Sequence, residues 1–92
     1  MKDTKQIEHL EKIFKLLANR HRLAIIKLLK KEPDLPVWYI ADKIGSNVKT
    51  ISKHLRILLM GGLIERSQHL NEAVYYISGR NSRMIRYIIK QL

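Results

Sequence analysis

Residues 47–58 read NVKTISKHLRIL and carry two chemistries at one period. Ile51, Leu55 and Leu58 recur at three- and four-residue spacing, which stacks them on one face of a helix. Lys49, Lys53 and Arg56 recur at the same spacing about half a turn away. Cations in that array can neutralise phosphates, and Lys or Arg can also bond the O6 and N7 edge of a guanine. Thr50 and Ser52 add hydroxyls for phosphates or bases, and Val48 offers an apolar contact for a thymine methyl. Asn47 suits an N-cap better than a base contact. His54 lies beside the apolar stripe, where packing, a local hydrogen bond or contact with a duplex are all open. An ordinary solvated helix face and a membrane-surface helix fit the same stripes. The surrounding chain has to separate these settings.

Charge narrows them. The chain has 92 residues and a net charge of +10. Residues 19–31 carry +5, residues 46–62 carry +3 and residues 79–92 carry +4. No acid lies between Asp42 and Glu65, and none follows Glu72. Acid-free basic segments attract polyanions. The apolar share of 46% is that of a folded chain, and the length is that of a single domain spanning 1–92. With no cysteine, disulfides, thiolate metal sites and thiol nucleophiles are excluded. No apolar run is long enough to span a membrane, and the charged start MKDTKQIEHLEK is unlike a signal peptide. A cytoplasmic, nucleoid-associated protein is expected.

Periodicity supplies the elements. A helix is predicted over 5–18, with Ile7, Leu10, Ile13, Phe14 and Leu17 on one stripe. Asn19 caps a second, widely apolar helix over about 20–31 that stops before KEPDLP. A short helix follows over about 37–44, and Gly45-Ser46-Asn47 joins it to the opening stretch, which halts at Gly61-Gly62. Two β-rich runs, 63–67 and 73–78, flank a polar tip at 68–72 and predict a hairpin. Tyr75 is expected on its outer side. A last helix over about 80–91 carries Met84, Ile85, Ile88, Ile89 and Leu92 on a broad apolar arc. Helix, tight turn, helix and hairpin is the order of a winged helix-turn-helix, so the fold class is mainly α (α+β) with about five helices and a two-stranded wing. In that fold residues 37–60 form the helix-turn-helix and 63–78 the wing. The opening stretch becomes the recognition helix, and Arg66, His69 and Asn71 become the wing's candidates for the backbone or minor groove.

The sequence resembles the ArsR/SmtB-type winged-helix transcriptional regulators from about Leu16 to Ile77. LLANRHRLAIIKLL is similar to that family's second-helix entry, with Arg22 at its usual arginine. YIADKIGSNVKTISKHLRILLMGGLIERS is similar to its helix-turn-helix, and AVYYI to its second wing strand. The resemblance implies a homodimer built from the first and last helices, bound to an imperfect inverted repeat in double-stranded DNA and usually repressing transcription. Two departures bear on sensing. Where many members place a CVC-like metal motif, this chain reads Pro36-Val37-Trp38, and its last helix holds neither Asp nor His. No metal and no cofactor are therefore expected, and a small-molecule effector near Trp38 or in the dimer seam is left open. The wing tip carries Glu72 in place of a glycine or arginine cluster, which weakens the expectation of wing contact.

One small domain would struggle to bury both the first helix's stripe and the last helix's arc. Leu10, Ile13, Phe14, Met84, Ile85, Ile88, Ile89 and Leu92 are therefore expected at a dimer interface. Trp38 is expected to pack. Gly-rich phosphate loops, paired carboxylates and a Ser/His/Asp set are all lacking, so no catalysis is expected. The remaining rivals are a winged-helix module for protein interaction and a non-specific binder of RNA or anionic membrane.

Overall fold

A computed structural model of the chain describes residue 2 and residues 4–92. Five helices and one hairpin follow in order: α1 (Thr4–Leu17), α2 (Arg20–Lys31), α3 (Val37–Ile44), α4 (Val48–Met60), β1 (Ile64–His69), β2 (Glu72–Ile77) and α5 (Arg83–Lys90). Local chemistry explains most of these limits. The Asn19 side chain accepts from the Arg22 backbone N–H at 3.1 Å, and Asn47 accepts from Thr50 N–H at 2.8 Å. Each satisfies one orphan donor of a first helical turn. Gly45 takes φ +78° after α3, and the N–H groups of Gly45 and Ser46 return to the carbonyls of Asp42 and Ala41. This reversal sends α4 off as the second arm of the helix-turn-helix.

The two glycines after α4 have different duties. Gly62 has φ +78° and closes a reversal in which Leu63 N–H reaches Leu58 O. Gly61 is not left-handed, but a Cβ there would run into the Leu16 side chain. It is the point where α1 lies close against the end of α4.

The core gathers Ile25, Ile26 and Leu29 of α2, Ile40 and Ala41 of α3, Ile51, Leu55 and Leu58 of α4, and Leu63 and Ile64 at the wing's base. The strands are antiparallel, with Ile64 opposite Ile77, Arg66 opposite Tyr75 and His69 opposite Glu72. The free edge of β2 is partly covered by Leu35, which exchanges backbone hydrogen bonds with Tyr75.

Several expectations change here. The wing turn is tighter than the polar run 68–72 suggested, because the strands continue to His69 and Glu72 and only Leu70-Asn71 turn. Leu70 reverses the chain at φ +53° with its side chain 97% exposed, where an Asn or Gly would be the usual choice. Tyr75 points to the core side, since it packs on the core cluster along with Ile77. Helix α5 starts at Arg83 rather than 80, because Ser82 caps it by accepting from Ile85 N–H at 3.2 Å. The residues before it serve the wing's base, where Asn81 Nδ2 donates to the carbonyls of Leu63 and Ser78.

The largest correction concerns α5. Ile85 is 3% exposed, Ile89 is also buried, and Ile88 and Leu92 pack on the same core. The apolar arc expected at a dimer seam is largely used within the protomer. The α1 stripe is used less: Leu17 is that helix's only buried residue and Ile13 and Leu16 pack partly on the core, while Ile7 and Phe14 are 50% and 53% exposed.

Candidate nucleic-acid interface

The buried stripe of α4 determines what its other side presents. With Ile51, Leu55 and Leu58 anchored in the core, Lys49, Ser52, Lys53 and Arg56 are turned to solvent. Val48 is exposed at the start of the helix, and Thr50 is half-buried. Among the described residues the one ion pair is Lys15–Glu11 at 3.7 Å, far from this face in sequence and on a different helix. The three cations of α4 are therefore uncompensated. Asn47 has its carbonyl oxygen committed to the cap, as expected, and only its amide nitrogen is free to reach outward.

His54 departs from the other candidates. It is 7% exposed and turned from the solvent face of α4. Its Nδ1 lies 3.2 Å from an Arg22 guanidinium nitrogen, and its ring stacks on His21 with centroids 5.0 Å apart. Contact between His54 and a duplex is thus corrected to an interior role. Arg22 also donates from Nε to Leu16 O at 2.6 Å and from a terminal nitrogen to Lys15 O at 3.1 Å. Those carbonyls end α1 and have no partner within the helix. Burial, then the charges of His21, Arg22 and Lys53, hold His54 below its ordinary value. Sequence reading noted Arg22 only as a matching position. Its link to His54 spans 32 residues and leaves no local pattern.

The wing candidates are split. Arg66 and His69 are both exposed, but an odd separation places them on opposite sides of β1. Asn71 sits exposed in the turn. Trp38, expected to pack, is 57% exposed, and its Nε1–H donates to Glu72 Oε2 at 3.1 Å. This bond ties the start of α3 to the wing. Among the described residues no group of three or more His, Cys, Asp or Glu could hold a metal ion, and no helix is long and apolar enough to cross a membrane.

A helix held by its apolar side behind a tight turn, with cations outward and a hairpin alongside, defines a winged helix-turn-helix DNA-binding protein. Residues 19–66 match the bacterial regulatory protein model of the arsR family. An HTH-type transcriptional regulator of Methanocaldococcus jannaschii is 31% identical over 92% of this chain and 96% of its own. Another from Mycobacterium tuberculosis is 33% identical over 82% of this chain, which spans only 33% of that longer protein. Among solved structures, the homodimeric winged helix-turn-helix DNA-binding domain of a Mycobacterium bovis protein superposes with a TM-score of 0.81 at 29% identity. That match covers 99% of this chain and 85% of the other. The chain belongs to the arsR family of regulatory proteins: it is a DNA-binding transcription regulator, in a family of regulators rather than enzymes.

Proposed function

We propose that the chain acts as a homodimer that reads an inverted repeat in double-stranded DNA and represses transcription, in the cytoplasm, by occupying a promoter. The observation that carries this reading is the uncompensated outer face of α4. Lys49, Lys53 and Arg56 stand on a helix whose opposite face is fully buried. In a major groove about 12 Å wide, the first turns of α4 would meet base edges through Val48 and Ser52, and Lys49 and Lys53 would meet the flanking phosphates. Arg56, further along, suits a phosphate, and Arg66 or His69 would follow the backbone from the wing.

The exposed side of α1 supports the dimer. Ile7, Leu10 and Phe14 line an apolar groove with Ala18, and a second copy would cover it in a two-fold seam. The M. bovis relative is a homodimer. Helix α5 contributes Met84 and the outer edges of Ile88 and Leu92, while its remaining outer face carries Arg83, Arg86 and Lys90 around the exposed Tyr87.

Selection of bound duplexes from a random pool tests the reading. The expected product is an inverted repeat with half-site centres about 34–36 Å apart, one helical turn or a multiple. Enrichment of unpaired half-sites, or of no sequence, would contradict it.

A further inference from the structure

The fold contains a three-helix junction that DNA reading alone does not require. Arg22, on the first turn of α2, bonds two carbonyls at the end of α1 and the ring of His54 in α4. A guanidinium has no acceptor, so it can only donate. His54 Nδ1 therefore accepts, and the neutral ring carries its proton on Nε2. His21 stacks on that ring at an interplanar angle of 8° and closes its other side.

We propose that Arg22 is a positioning residue for the recognition helix, locking α4 to α1 through the neutral His54 ring, and that a proton on His54 releases the lock and weakens DNA binding. The inference rests on the DNA-binding role of α4 argued above. Two facts support it. First, a proton on Nδ1 sets a donor against a donor, within 3.2 Å, beside a permanent positive charge. Second, every charged group acting on His54 is cationic or can become so: His21 and Arg22 on α2, and Lys53 on α4 itself. Helix α3 and strand β1 also pack on α4 and bring no charged group to bear on the ring. No carboxylate is among the groups acting on the ring, so nothing there offsets the clash of an imidazolium with the Arg22 guanidinium.

The consequence runs against simple electrostatics. Acidification makes a protein more cationic, and a more cationic protein binds a polyanion more tightly. Release of the lock predicts the opposite sign. The same junction joins the helix that meets DNA to the helix with the exposed apolar stripe. A disturbance at one is thereby carried to the other through a single side chain.

Duplex affinity measured by fluorescence anisotropy from pH 8 to 5.5 at fixed ionic strength tests the proposal, with NMR titration of the histidine rings. The proteins are the full chain, His54→Asn, which keeps an acceptor near the Nδ1 position and cannot titrate, and Arg22→Lys, which keeps the charge and loses the fork. The full chain is expected to lose affinity as the pH falls through the folded value of His54, which lies below 6.5, by up to about a hundredfold per pH unit, the limit for one proton on each of two protomers. His54→Asn is expected to bind as well as the parent at pH 8 and to hold or gain affinity on acidification. Arg22→Lys is expected to bind more weakly at pH 8 and to show a flattened profile, with His54 titrating higher than in the parent. Affinity that rises on acidification in the full chain as it does in His54→Asn would overturn the proposal. So would a neutral His54 ring protonated on Nδ1. Absence of duplex binding at pH 8 would instead remove the proposed function, and the ring tautomer and the Arg22→Lys shift would still decide the lock.

Discussion

At the scale of single residues, neighbours separate side chains that look alike in the sequence. Lys53 and His54 are adjacent, yet one faces solvent and the other is enclosed by Arg22 and His21. Enclosure has a consequence for stability. His54 is held below its ordinary value of 6.5, so the unfolded chain binds its proton more readily than the folded one. Stability is therefore full above about pH 6.5 and is lost as the pH falls from there towards the folded value. Urea denaturation at pH 7.5 and 5.5 is expected to give a lower midpoint at 5.5, and His54→Asn is expected to shrink the difference. An unchanged midpoint in the parent chain would contradict the enclosure. The cluster itself was not legible beforehand. NRHR begins with the helix cap Asn19 and carries no hint of a partner 32 residues away.

At the scale of elements, α2, α3 and α4 were legible because their signals are local. Asn19 and Asn47 start helices, Gly45 and Gly62 end them, and the apolar spacing between needs no knowledge of the fold. Asn47→Ala removes the bond to Thr50 N–H and is expected to cost about 1 kcal/mol in thermal or denaturant unfolding. Gly62→Ala forces a side chain into φ +78° and is expected to cost about 1–2 kcal/mol. A neutral or stabilising Gly62→Ala would show that the reversal after α4 is wrong. Elements whose limits depend on partners were read less well. Tyr75 shares the core-facing side of β2 with Ile77, a choice alternation alone does not make, and the tight wing turn relies on a left-handed leucine that no turn rule favours. The arc of α5 is apolar enough for either a seam or a core, and periodicity alone does not choose between them.

At the scale of the whole molecule, the cationic face of α4 and the apolar stripe of α1 both lie open to solvent among the described residues. The molecule is elongated, 48 Å by 23 Å by 23 Å, with α1 joined to the rest mainly near its C-terminal end. The proposed dimer makes α1 the seam. Phe14→Glu is half-exposed and should leave the protomer folded by circular dichroism, while shifting sedimentation to the monomer and weakening duplex binding. A variant that still sediments as a dimer would move the seam elsewhere. The central claim, that α4 meets DNA through its cations, is tested most directly by the salt dependence of duplex binding. Each phosphate contact adds about 0.9 to the slope of log K against log salt, and a symmetric dimer makes each contact twice. Lys49→Ala and Lys53→Ala should therefore each lower the slope by about 1.8 if their ammonium groups meet phosphates. Slopes unchanged from the parent in both variants would contradict the account.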